Sequence, residues 1–202
     1  MWVRTDVPGS EVVVFDDSAG LHARGWQNAL DPLPYALTYE VWTDSRWATT
    51  RLVAHAEGAG WTRDLDLVRE GDSWTCQVDC AGGSSLASFD GNDLRPSAPP
   101  GIDDPASLRG LVDVDIGGSP LTNALPVHRL ALLDAPPGHK ARLASVWVIP
   151  PTLEVTASAQ TYTVRDGGRI HYGDATTGVD VGYDDQGWVD SYPGLAHRVA
   201  ST

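Results

Sequence analysis

The sequence predicts a mostly β fold with one short helix, and three observations carry that prediction. Apolar residues recur at every second position over most of the chain, Gly, Asp and Pro turns separate these runs at short intervals, and long 3.6-residue patterns are nearly absent. The helix comes from one stretch, Arg109 to Leu130. Its first half alternates, with Val112, Val114 and Ile116 on a buried face and Asp113 and Asp115 together on the other. Gly117-Gly118-Ser119-Pro120 then breaks the strand, and Thr122 or Asn123 caps a short helix carrying Leu125, His128, Arg129 and Leu132.

Taken in order, Val12 to Phe15 is an apolar run that ends at Asp16-Asp17-Ser18-Ala19-Gly20. Leu21, Ala23 and Gly25 alternate with His22, Arg24 and Trp26, and a strand with Tyr35, Leu37, Tyr39 and Val41 on one face follows Pro32 and Pro34. After a turn at Asp44-Ser45 the alternation resumes with Trp47, Thr49, Arg51 and Val53. It continues from Trp61 to Val68, turns at Glu70-Gly71-Asp72 and enters a strand from Trp74 to Cys80. Between about 90 and 107 the prolines and glycines show no period, which predicts a mobile surface loop. Neither flank of that loop has its own covering helices, so residues 1–202 are expected to form one domain.

Beyond the central stretch, Leu143 to Ile149 is nearly all apolar, as a strand buried on both faces would be. Leu153, Val155, Ala157 and Ala159 alternate, Gln160 to Val164 follows, and Asp166-Gly167-Gly168-Arg169 signals a hairpin into Ile170 and Tyr172. Val179, Val181 and Tyr183 make the next strand, and Trp188 to Tyr192 the last.

Composition narrows the functional classes. The 202 residues suffice to bury roughly 70% of the surface of the unfolded chain, so disulfide staples are not needed. A formal net charge of -13 repels phosphate backbones, which argues against a nucleic-acid partner. No window approaches a transmembrane segment and no apolar leader follows Met1, so a cytoplasmic location is expected. Cys76 and Cys80 fall on one strand about 13 Å apart, too far for a disulfide, and are expected as buried free thiols. The residues near them offer no metal ligands. Nucleophile-elbow, dinucleotide-binding, P-loop and zinc spacings are all missing, so no cofactor and no metal is expected.

Several motifs then fall into a known order. Asp113-Val114-Asp115-Ile116, Ser119 to Leu130, Gln160-Thr161-Tyr162 and Asp190-Ser191-Tyr192-Pro193-Gly194-Leu195, with Trp47-Ala48-Thr49-Thr50-Arg51 and Gly71-Asp72-Ser73-Trp74 before them, resemble the putative glycolipid-binding family of bacterial proteins. The resemblance implies a long antiparallel sheet wrapped as a spiral β-roll around a single α-helix, often a homodimer, with an amphipathic small molecule such as a glycolipid as partner. The chain departs from the family pattern at His128, where a permanent positive charge is replaced by one that titrates near neutrality.

The residues themselves suggest a ligand set of Asp113, Asp115, Asn123, His128, Arg129, Trp47, Trp74, Tyr162 and Tyr192. Asp113 and Asp115 would hold their side chains about 6–7 Å apart along a strand, which overlaps the roughly 6.5–9.5 Å of inverting glycosidases. Arg129, if packed inside the sheet, needs a carboxylate partner, and Asp113 or Asp115 is the obvious one. Asn123 is equally suited to cap the helix. Tryptophans and tyrosines, 8 and 6 against 2 phenylalanines, suit sugar stacking or a wet-edged groove. Three readings follow: a non-catalytic binder of an amphipathic ligand, a carboxylate-dependent hydrolase of a glycoside or ester, and a dimeric structural or interaction module. The hydrolase requires an exposed cleft with a raised carboxylate pKa; a roll filled by its own helix favours the interaction module over the binder.

Overall fold

The strand pattern of the sequence resolves into one sheet. A computed structural model describes residues 1–83, 86, 99–176 and 178–199. Its strands are β1 (Trp2–Arg4), β2 (Gly9–Asp16), β3 (His22–Ala29), β4 (Tyr35–Thr43), β5 (Thr49–Gly58), β6 (Trp61–Glu70), β7 (Ser73–Gly82), β8 (Gly101–Ile102) and β9 (Val114–Ile116). After the helix α1 (Pro120–Arg129) come β10 (Lys140–Ile149), β11 (Glu154–Val164), β12 (Arg169–Gly173), β13 (Gly178–Tyr183), β14 (Val189–Tyr192) and β15 (Ala196–Arg198). They form a 15-stranded open sheet in the order β7-β6-β5-β4-β3-β2-β1-β15-β14-β13-β12-β11-β10-β9, with β8 added beside β11.

The first and last strands meet in the middle of this order, Trp2 opposite Arg198. Two arms therefore run outward from the paired termini, one ending at β7 and the other at β9. Pairing is antiparallel except at β9 on β10 and β8 on β11, where it is parallel. The arms curl over one another, because Leu52, Leu65 and Leu67 of the first arm pack in one cluster with Val114, Val146 and Val155 of the second. Helix α1 occupies the space they enclose. Leu121, Ala124 and Leu125 enter that cluster, while Val127 enters a second one with Tyr162, Tyr172, Tyr183 and Tyr192.

Local chemistry explains most boundaries. β3 reads exposed and buried in strict alternation, as its sequence predicts. Gly71 at φ 63° supplies the left-handed residue of the β6–β7 turn. β10 is covered on both faces, Val146 and Val148 toward the first cluster and Ala141 and Leu143 toward the second.

Five expectations are corrected. In β5 a bulge lies opposite Trp42 and Thr43, so Leu52, Ala54 and Ala56 face inward and Arg51 and Val53 outward, the reverse of the sequence reading. Trp47 belongs to the turn before that strand. The helix begins at Ser119 with Pro120 in its first turn; Thr122 and Asn123 are inside it, and Leu132 lies in the 3-10 turn Leu132–Asp134 beyond it. Strand β9 is buried on both sides, since Asp113 just before it and Val114 within it are each 0% exposed. Cys76 is half-buried and Cys80 exposed, because β7 is the outermost strand of its arm. Of the segment expected as a loop, Gly101 and Ile102 pair with β11 and Pro105–Leu108 is a 3-10 turn carrying the fully buried Leu108; residues 87–98 lie outside the described residues.

Candidate functional site

Helix α1, through Thr122, Asn123 and Arg129, and the strands facing it carry a dense polar cluster inside an apolar shell. Arg129, in the last helical turn, donates Nε to Asp113 Oδ1 at 2.8 Å and Nη2 to Asp113 Oδ2 at 2.5 Å. The pairing expected for Arg129 is thus made with Asp113, through two bonds. Its hydrogen bonds to Asp113 hold the guanidinium pKa above the usual arginine value.

Asp115 is partnered differently. Gln160 Nε2 donates to its Oδ2 at 2.6 Å and Thr122 Oγ1 to its Oδ1 at 3.2 Å. Gln160 is itself held by Ser145 Oγ and Tyr162 Oη, which donate to Gln160 Oε1 at 2.9 and 3.1 Å. The chain Ser145–Gln160–Asp115 leaves the carboxylate fixed in position yet half-buried rather than sealed. Burial drives its pKa up to about 6 against the hydrogen bonds from Gln160 and Thr122.

Tyrosines surround this carboxylate. Tyr162 and Tyr172 meet edge to face at 5.5 Å, Tyr172 and Tyr192 at 5.9 Å, and burial raises the phenol pKa of each, and of Tyr183, with the Asp115 charge adding to the effect. Tyr183 Oη donates to the backbone carbonyl of Asn123 at 3.4 Å. Asn123 donates Nδ2 to Ser119 O, while its buried Oδ1 has no partner. Six of the sequence candidates, Asp113, Asp115, Asn123, Arg129, Tyr162 and Tyr192, therefore collect around the second cluster.

Trp47 and His128 form a separate feature in the same last turn of α1, where His128 precedes Arg129. Their rings stack at 3.8 Å and 5°, and Trp188 tilts onto His128 at 5.0 Å. Two turns of the same construction bring this about. Asp44 Oδ1 accepts from Arg46 N and Ala48 N, and Asp184 Oδ1 from Gln186 N and Trp188 N; in each the fourth residue has positive φ, Trp47 at 65° and Gly187 at 86°. His128 lies between them, with Nε2 buried and without a partner. Burial lowers its pKa, opposed by the charges of Asp17 and Asp184. Trp74 stands apart from both features. It is a core residue whose indole N–H donates to Leu111 O at 2.9 Å.

Sequence reasoning missed Glu11, Gln160 as a hub, Tyr172 and Tyr183. Glu11 is fully buried beneath the start of α1, accepting from Tyr39 Oη and Ser119 Oγ at 2.6 Å each and from Leu121 N at 3.3 Å. The doubled Asp-turn before Trp47 and before Trp188 was the one local signal that could have placed those aromatics together. No group of three or more potential metal ligands occurs among the described residues, and no helix among them is long and apolar enough to cross a membrane.

An open spiral sheet wrapped over α1, with a polar cluster along the helix from Thr122 to Arg129, defines a β-roll of the kind the sequence motifs imply. The family model described as "Putative glycolipid-binding" matches residues 1–198, and the chain belongs to that family. A crystal structure of a DUF1089 family protein from Pseudomonas aeruginosa superimposes with a TM-score of 0.70 at 24% identity, covering 97% of this chain and 95% of that one, which shows the shared fold. No curated protein sequence matches the chain.

Proposed function

We propose that the chain binds an amphipathic molecule with a sugar head group and releases it unchanged. The family description supports a binding role. The observation that carries the reading to a site is Asp115: a half-buried carboxylate, positioned by Gln160 and Thr122 and ringed by tyrosines, with Asn123 Oδ1 left unpartnered on the facing helix. The unpartnered Asn123 Oδ1 and the Tyr192 hydroxyl at one end of an apolar cluster suit a polyhydroxylated head, while Tyr162, Tyr172 and Tyr183 already donate to Gln160, Asp174 and the Asn123 carbonyl. Arg129 and Asp113 support this end of the helix, and Trp47 with His128 forms an aromatic wall beside it.

Two-carboxylate hydrolysis fits less well. Asp115 has the raised pKa such an enzyme needs, but Asp113 is sealed and gives both oxygens to Arg129, so the two cannot share a water. The interaction-module reading is favoured by one observation, that Leu121, Ala124 and Leu125 fill the roll along the first half of α1. An apolar tail therefore cannot lie there.

Native mass spectrometry of protein purified from its own host, followed by solvent extraction, tests the proposal. Retention of an amphipathic species of defined mass, weakened by Asp115→Asn and by Tyr192→Phe, is the expected result, carried on a dimer. An assembly holding no small molecule would transfer the weight to the interaction module.

A further inference from the structure

The outer face of the first arm holds a second candidate site, remote from Asp115. Antiparallel partners share a face, so the cross-strand pairs Val12–Trp26, Val14–Arg24, Trp26–Thr38, Arg24–Glu40, Thr38–His55 and Glu40–Val53 lay one continuous patch over β2 to β5. In its middle the short side chains of Thr38 and Val53 form a floor, and Arg24, Trp26, Glu40 and His55 rise around it. The depression is open to solvent, holds about 290 Å³ and has Gly25 and Tyr39 in its lining. That volume is at the small end of ligand sites.

The rim has binding capacity left over. Trp26 is 46% exposed, no other aromatic ring packs on it among the described residues, and its indole N–H donates to none of them. Glu40 Oε1 takes both His22 Nε2 at 2.6 Å and Arg24 Nε at 3.1 Å, and the Arg24 side chain stays 61% exposed. Thr38 Oγ1 is likewise unspent. His55 is held upright by Asp64 Oδ1 at 2.7 Å. The depression thus offers one flat aromatic face with donors and acceptors of both kinds at its edge.

We propose that this depression binds a neutral hexose ring, which stacks its C–H face on Trp26 and hydrogen-bonds to Glu40, Arg24 and Thr38. A pyranose has the same division, an apolar face bounded by hydroxyls that both donate and accept. Val12 and Val14, exposed beside Trp26, extend the apolar side. A purely anionic ligand is disfavoured by Glu40 and by the net charge of -13. The site stands without the reading at Asp115.

Ligand-observed saturation-transfer NMR with methyl β-glucoside, methyl β-galactoside and methyl α-mannoside tests it. At least one is expected to bind, with affinity falling about tenfold in Trp26→Ala and in Glu40→Gln and unchanged in Asp79→Asn, an exposed position on the outermost strand β7. Trp26 and Glu40 lie on the outer face, so both variants are expected to fold, as far-UV circular dichroism will report. If no glycoside of the panel binds, or if binding survives Trp26→Ala or is lost in Asp79→Asn, the proposal is overturned. None of those results touches the co-purification test of the inner site.

Discussion

Arg129 holds both carboxylate oxygens of Asp113, joining the last turn of the only α-helix among the described residues to the segment that leads into β9. Asp113 is sealed from solvent, whereas one fifth of the Arg129 side chain remains exposed. The pair is a fastener between helix and sheet with one wet edge.

Removing the cation alone strands a buried charge. Arg129→Leu is expected to lower the unfolding free energy by about 3 kcal/mol, and pairing it with Asp113→Leu to restore much of the loss, since two apolar residues can replace a buried ion pair. Urea denaturation of the four proteins of the cycle measures this. An unchanged urea midpoint in Arg129→Leu would show that the pair does not fasten the helix.

Asp115 makes stability depend on pH in the opposite sense to an ordinary salt-bridged carboxylate. Its folded pKa of about 6 lies above the unfolded value, so between roughly pH 4 and 6 the folded state holds a proton that the unfolded state has released. Stability therefore falls as pH rises through this window, by up to about 3 kcal/mol at neutrality. Asp115→Asn should flatten that slope and raise the melting temperature at pH 7. Melting curves from pH 4 to 8 on both proteins provide the check, and parallel curves would refute it.

What was legible in the sequence divides along contact distance. Alternation in β3 and β4 could be read directly, because period-two patterning is set by the sheet they sit in. The Arg129–carboxylate pair was legible too, since a cation on an apolar helix must find a partner nearby. Glu11 was not, because it stands at the head of a run of valines and its partner Ser119 is 108 residues away. Nor was Gln160, whose bond to Asp115 spans 45 residues. The facing of β5 was misread for a different reason. One bulge inverts every later side chain, and nothing in Thr49-Thr50-Arg51 announces it.

Glu11 has a role that substitution can expose. Its carboxylate receives Tyr39 Oη, Ser119 Oγ and the Leu121 N–H at the positive end of α1, and burial raises its pKa against those bonds. Glu11→Ala leaves two buried hydroxyls and a helix N-terminus unsatisfied and is expected to cost about 2–4 kcal/mol. Glu11→Gln, which keeps an acceptor, should cost less and should remove a further part of the stability lost as pH rises. Chemical denaturation at two pH values distinguishes the variants; equal losses in both would mean that the carboxylate's hydrogen bonds contribute little.

Gly187 is where the aromatic wall can be tested without touching an aromatic residue. A Cβ there would sit 2.8 Å from His128 Cε1 and Nε2, and φ at 86° is itself unfavourable for any side chain. The ring cannot retreat, because Trp47 is stacked on it at 3.8 Å. Gly187→Ala should therefore destabilise the protein by about 1–3 kcal/mol and separate the His128–Trp47 stack. Near-ultraviolet circular dichroism reports the stack, and a proton NMR titration reports His128, whose pKa burial holds below the usual histidine value. In the variant that pKa should climb as the ring gains water. An unaltered aromatic spectrum together with an unaltered titration would show that the turn at Gly187 does not set the position of His128.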